Sequence, residues 1–517
     1  MASRFTDNLF QLVKSLEKAE KRNFKLYIKR SSAKEDLKII QLFDALDKLS
    51  EYDEQALLKK LPSIQKPQLA NIKVHLYKQL LASLRLLKST ESIDMQLNEQ
   101  LDYARILYNK GLYLQSLKIL EKLAETAREH YKYNFLTQVI AWEKKIESLH
   151  ITRSMSDRAE QLAHETIEAN TRVSMVSKMS SLALQLYSRY ILNGHARNEK
   201  EEAAVIKFFT FNLPSNSHKQ TGFYERLYLY QSYCWYAFIR QDFLMYYRYA
   251  QKWIDIFHRE PLMIKVETGY YIKGLHNLLN AHFDLRNFEG FDIALQQFKD
   301  FAKSDLANKH DNHRVQSFVY ISSATLNRHF MDGTFEEGLA MIPELEKKLE
   351  EYGLYLDSHR LLVFNYKIAT LYFGSGKYGI AIDYLQRIIN VNPDLRNDLQ
   401  CYSRLLHLMS HYELGNFEIL DSLTKSVYRF MAKMQNLTVV EEEMFKFLRN
   451  SFLLSRNKLK AAFEVFLGKL KKLENDRFQT RSFAYLDIIS WVESKVSEKP
   501  LGKVINEKYL ARKKRHY

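Results

Sequence analysis

The chain has 517 residues, and its 15 Gly and 7 Pro make up about 4% where average usage is about 12%, so regular elements must be long and punctuation sparse. A hydrophobic content of 46% excludes a disordered chain, and only two cysteines, Cys234 and Cys401, exclude a disulfide framework and point to a reducing compartment. The net charge of +16 raises the question of an anionic partner. A single core cannot serve this length, which leaves several domains or a quasi-linear repeat array.

In chain order, the first residues alternate apolar and charged side chains, with no signal-peptide core, and no window approaches the roughly 18 uncharged apolar residues of a membrane span. The expectation is a cytoplasmic protein without membrane insertion. Residues 1–90 form helical stretches around 5–20, 20–30, 35–49 and 66–88, broken at Ser31-Ser32, at 50–53 and between Pro62 and Pro67. They are read as a basic helical cap domain, with a winged-helix or helix-turn-helix domain as the other reading. In the last of these stretches Leu69, Ile72, Leu76, Leu80, Leu84 and Leu87 recur at steps of three and four, the mark of one helical face.

From residue 91 to 478 the same helical periodicity continues, and no run reads as a strand. Short breaks recur, each followed by an aromatic or Leu that opens the next helix: Lys110-Gly111-Leu112-Tyr113, Arg240-Gln241-Asp242-Phe243, Arg286-Asn287-Phe288, Asp332-Gly333-Thr334-Phe335, Gly376-Lys377-Tyr378, Gly415-Asn416-Phe417 and Arg456-Asn457-Lys458-Leu459. From Phe243 onward their last residues are 45, 47, 43, 39 and 42 apart. The gap from Tyr113 to Phe243 is about three periods and holds weaker breaks at Ser156-Asp157 and at 193–200. A period of this size is the signature of a helix-pair array, here of about eight to nine pairs. Residues 479–517 supply a capping helix, with Leu486, Ile489, Val492 and Val496 on one face, and a basic tail.

The segment Ala369-Thr370-Leu371-Tyr372-Phe373-Gly374-Ser375-Gly376-Lys377-Tyr378-Gly379-Ile380-Ala381, followed by Leu385 and Pro393, resembles a tetratricopeptide repeat. Ala369 and Ala381 let paired helices approach, Gly376 makes the turn, and Pro393 ends the second helix. The resemblance implies an all-α fold, a right-handed α-solenoid of antiparallel helix pairs. It also implies non-catalytic binding of a protein or peptide on a concave surface, as a scaffold or adaptor. The small position varies, being Ser116, Tyr246, Phe291, Gly338, Leu420 and Ala462 in other units, and most units exceed 34 residues. A HEAT-like or other α-solenoid is the alternative.

Charge is uneven along the chain: residues 1–90 carry +8, residues 445–517 carry +11, and the stretch between them is slightly acidic. Lys21, Arg22, Lys25 and Lys29 fall on one helical face, and Arg512, Lys513, Lys514 and Arg515 form a terminal run. These are the candidate contacts to an anionic partner, nucleic acid included, and equally the ordinary solvated ends of a soluble chain. The most distinctive composition lies between Phe223 and Phe257, where Arg226, Tyr230, Tyr233, Arg240, Tyr247 and Arg248 are candidate partner-binding residues. Tyrosine used as large interior filler is the competing account.

No cofactor or metal is expected. The Gly374–Gly379 run has the wrong spacing for a phosphate loop, and Tyr378 follows its Lys. His407 and His411 are four apart, but Leu408 stands where a zinc protease needs Glu; His310 and His313 lack further ligands nearby. Cys234 lies in an aromatic helix, where burial makes a thiol inert. These readings give no enzyme.

Overall fold

A computed structural model describes residues 7–29, 34–150, 157–219, 222–391, 397–434, 437–451, 454–476, 478–479, 483 and 487–515. Pro393, Ser31, Ser32, Ser156 and Leu486 lie outside them, as do the side chains of Asn457, Lys514 and Arg515. Among the described residues the structure is helical throughout, without strands. No described helix is long and apolar enough to cross a membrane.

The chain divides into two units, Met1–Thr171 and Arg172–Tyr517. The first begins with α1 (Asn8–Ser15), α2 (Lys18–Lys29), α3 (Lys34–Lys48), α4 (Glu54–Lys60) and α5 (Lys66–Leu87). Their apolar faces close on Phe10, Val13, Phe24, Ile28, Leu42, Phe43, Leu46, Leu57, Leu76 and Leu80. Asp7 and Asp53 cap α1 and α4 by accepting backbone N–H bonds, which satisfies donors that a helix start otherwise leaves orphaned. A separate core, including Leu97, Leu101, Leu117, Leu120, Val139 and Ile146, is built by α6 (Ile93–Asn109), α7 (Tyr113–Glu129), α8 (Tyr133–Leu149) and the start of α9 (Arg158–Asn193).

The second unit continues with α10 (Glu199–Asn212), α11 (Phe223–Ile239), α12 (Phe243–Arg259), α13 (Leu262–Val266), α14 (Thr268–Asp284), α15 (Phe288–Ala302) and α16 (Asp305–Asn308). It goes on with α17 (Asp311–Asp332), α18 (Phe335–Leu339), α19 (Ile342–Glu351), α20 (Ser358–Gly374), α21 (Tyr378–Ile389), α22 (Asn397–Glu413) and α23 (Phe417–Lys433). The chain ends with α24 (Val439–Ser451), α25 (Arg456–Leu473), α26 (Ile488–Ser497) and α27 (Leu501–Arg515). Helices pack in neighbouring pairs, α6 with α7, α11 with α12, α14 with α15, α20 with α21 and α22 with α23. This arrangement is consistent with helical repeats.

One turn joins these pairs. At Gly333 the left-handed residue directly follows α17 and the Thr334 N–H donates to Asp332 Oδ1 (3.1 Å); elsewhere the residue with positive φ stands two positions past the helix end, at Gly111, Gln241, Arg286, Gly376 and Gly415. The N–H of the next residue bonds five positions back, from Asp242 to Ala237 (2.9 Å), Asn287 to His282 (2.9 Å), Lys377 to Tyr372 (2.9 Å) and Asn416 to His411 (3.1 Å). This is the Schellman motif, which satisfies the carbonyls left over at a helix end. The same turn at Tyr131 joins α7 to α8, a break not among those read from the sequence pattern.

The position expected to hold a small residue is a buried one of variable size. Ser116, Tyr246, Phe291, Ala381 and Leu420 are all buried there, and the Ser116 hydroxyl donates to the Ala104 carbonyl (2.8 Å). At Gly338 an added Cβ would come within 2.9 Å of the Leu371 side chain, whose end would have to shift. A buried position can be filled by any side chain whose volume matches the local gap.

Candidate functional site

The aromatic segment around α11 and α12 is mostly interior. Tyr233 stacks on Tyr249 with centroids 4.1 Å apart, Phe209 stacks on Tyr236 at 4.0 Å, and Tyr230 lies 6.0 Å from Tyr249. Burial pushes the Tyr249 hydroxyl up to about 12. Tyr247 packs against His282. Arg226 is ion-paired with Glu260, and Arg240 with Glu202 at 3.0 Å, while Arg248 is exposed. Arg226 and Arg240 stand 14 residues apart, about 21 Å along a helix, so they do not converge on one small group.

The terminal cations are likewise divided. Lys21 and Lys25 pair with Asp47 (2.6 Å) and Asp44 (2.7 Å) at the surface, whereas Arg22 and Lys29 are exposed. Arg512 and Lys513 are exposed on α27.

The second unit also holds an open cavity of about 580 Å³ that the sequence does not announce. Its wall is assembled from helix ends and turns. The α11–α12 turn brings Gln241, the end of α14 brings Asp284, and the following turn brings Arg286. Asn327 and Phe330 come from α17, Tyr366 and Lys367 from α20, and Lys508, Tyr509 and Arg512 from α27. Gln241 and Arg286 thus occupy the same left-handed turn position in successive pairs.

The last helix is held against this wall by specific contacts. Gly502 meets Gly333 backbone to backbone, since a Cβ on Gly333 would fall 2.3 Å from the Gly502 oxygen. The Asn506 amide donates to the Asp332 carbonyl (2.9 Å). The Tyr509 hydroxyl accepts from Arg328 (3.2 Å), and its ring meets Phe288 edge-on at 4.6 Å. Arg328 itself is fixed by Asp292 (2.6 Å) and Asp332 (2.8 Å). The carboxy-terminal basic run therefore begins on a docked helix.

The electrostatics of the cavity are unusual. The Lys367 ammonium donates to the Asn327 side-chain oxygen and lies 5.8 Å from the Phe330 ring, and no carboxylate pairs with it among the described residues. Burial alone lowers it to about 7. Burial also raises Asp284 to about 7, with Arg286 pulling the other way. The Asp284 Oδ2 atom is buried without a hydrogen-bond partner. Burial lowers Arg286; the charges of Asp487 and Asp284 oppose that shift and Arg512 reinforces it. Nearby, His276 is driven well below its usual range by burial and then by Lys273, Lys367 and Arg360. Arg286, Lys367, Lys508 and Arg512 thus share the wall with Asp284, Glu474 and Asp487, and one acceptor, Asp284 Oδ2, is unsatisfied.

Neither Lys367 nor Asp284 is singled out by the sequence pattern. The available signal is isolation: Lys367 is the sole charge between Arg360 and Lys377, in the middle of an apolar helix. Metal binding has no such nucleus, because the described residues hold no group of three or more potential ligands. His407 and His411 pack ring to ring at 4.6 Å, and burial drives His407 down to about 4. Cys234 is buried, and burial pushes its thiol up. No protein-family model matches this chain, and no curated protein is significantly similar to it.

Proposed function

We propose that the protein is a tetratricopeptide-like α-solenoid of antiparallel helix pairs that binds a protein or peptide partner and carries no catalysis of its own. The observation that carries this reading is the recurrence of one left-handed turn, from Gln241 to Arg286, Gly333, Gly376 and Gly415, at intervals of 45, 47, 43 and 39 residues. Stacked helix pairs of this period make an extended concave surface whose residues can be varied without disturbing the framework. The setting is cytoplasmic.

Arg248, exposed, and Tyr247 are the residues of the aromatic segment best placed to meet a partner, because Arg226 and Arg240 are engaged with Glu260 and Glu202. The test is affinity capture with the wild type and with Arg248→Glu and Tyr247→Ala. Loss of a specifically retained partner from both variants is expected; an unchanged set of partners would remove this surface from consideration. The alternative of nucleic-acid binding at the termini draws on exposed Arg22, Lys29, Arg512 and Lys513. It requires binding to random DNA or RNA that falls steeply with salt and is lost on deleting residues 511–517.

A further inference from the structure

We propose that the cavity between α14, α17, α20 and α27 binds a small organic anion bearing a planar ring, of the mononucleotide class. Lys367 holds its anionic group, and Arg286 and Asp284, side by side elsewhere on the wall, meet its ring or sugar, Asp284 accepting a hydrogen bond.

Four observations lead here. The volume of about 580 Å³ falls within the roughly 300–1,000 Å³ of small-molecule sites, whose walls are mainly apolar and aromatic with a few convergent polar groups. Phe283, Phe330, Tyr366 and Phe373 supply ring surface of that kind. An ammonium set deep in a protein with only an amide oxygen for company is costly, because desolvation is offset by no opposite charge. An incoming anion supplies the missing counter-charge.

Arg286 gives the second cation, and its backbone strengthens the case. Its φ is +53°, in the left-handed region that the equivalent turns at Gly333, Gly376 and Gly415 reach with glycine. A long side chain at that position costs stability that glycine would not, and here the side chain lines the same cavity as Lys367. Asp284 Oδ2 is the complement: a buried acceptor with no donor among the described residues, suited to a ligand hydroxyl or N–H. A ligand with both an anionic group and a hydrogen-bond donor satisfies all three side chains. A polymer fits poorly, since α27 lies across one side of the cavity, held at Gly333, Asp332 and Arg328.

The test is calorimetric titration of the full-length protein with adenosine, guanosine, cytidine and uridine 5′-monophosphates, with the parent nucleosides, and with inorganic phosphate. At least one monophosphate is expected to bind, its nucleoside and phosphate alone each at least tenfold more weakly. Lys367→Met and Arg286→Met are each expected to weaken it at least tenfold, whereas Lys425→Met, on the exposed face of α23, leaves it unchanged. Circular dichroism and melting of each variant show whether it has folded. If Lys367→Met does not fold, Asp284→Asn, close to isosteric, takes its place, with weakened binding again expected. The proposal is overturned if no monophosphate binds the wild type, if a nucleoside binds as well as its monophosphate, if phosphate alone binds as well, or if an acidic hexapeptide binds in their place.

Discussion

Lys367 and Arg286 are expensive residues, and the expense can be measured. Lys367 titrates near 7 in the folded chain against 10.5 for an ordinary lysine. Between those values the unfolded chain binds more protons than the folded one, so stability rises with pH across that window. Below about 7 the whole penalty is present. Lys367→Met should therefore raise the urea midpoint at pH 6 and raise it less at pH 9.5; an equal change at both would mean that the ammonium is not the cause. Arg286→Gly should also stabilise, by about 0.5–1 kcal/mol in the same assay, because glycine reaches the left-handed turn without strain. Sequence made Lys367 visible only as a lone charge on an apolar helix, since periodicity assigns a residue to a face and cannot say that the face borders a cavity. The cations it did flag, Arg226 and Arg240, turned out to meet Glu260 and Glu202, partners 34 and 38 residues away that no local pattern connects to them.

For the helix pair, the informative unit is the turn. Gly376 has φ +78° and open space around a notional Cβ, so Gly376→Ala should cost about 1 kcal/mol, the intrinsic penalty of a left-handed alanine. Gly333→Ala should cost clearly more, because its Cβ would strike the Gly502 backbone and lever α27 from α17. Thermal melts of the two variants, with limited proteolysis near residue 500, check this; equal destabilisation would mean that the two glycines act only through the turn. Most pair boundaries were legible because glycine, or an aromatic after a polar break, marks them in the sequence. The α7–α8 boundary was not, because Tyr131 and not glycine takes the left-handed position, leaving only Tyr133 after Lys132 to mark it. The variation already visible at the small position has its reason in packing: Tyr246 and Phe291 are as buried as Ala381, and burial fixes volume only jointly with the neighbouring helices.

On the scale of the whole chain, fold class and the unequal distribution of charge were readable from composition and period, while the consequences of burying histidine were not. Burial lowers His282 and His407 to about 4, from an unfolded value of 6.5. Between pH 6.5 and 4 the unfolded chain takes up protons that these rings refuse, so the stability they leave intact above pH 6.5 is lost as pH falls toward 4. The unfolding transition of the Arg172–Tyr517 unit should move to lower temperature across that window. His282→Asn and His407→Asn should flatten the slope; an unaltered slope in the double variant would assign it to other groups. The structure also changes how the +16 charge is understood, because Lys21 and Lys25 are paired with Asp47 and Asp44 and Arg512 stands on a docked helix beside the cavity. The recurring turn has one more consequence. Its left-handed residue lies outside both helices, and in successive pairs it carries Gln241 and then Arg286 into the same cavity wall. It works as a socket outside the helical framework: a new side chain at 241 or 286 alters the cavity wall without altering either helix of the pair, which makes these two positions the starting point for redesigning what the cavity takes up.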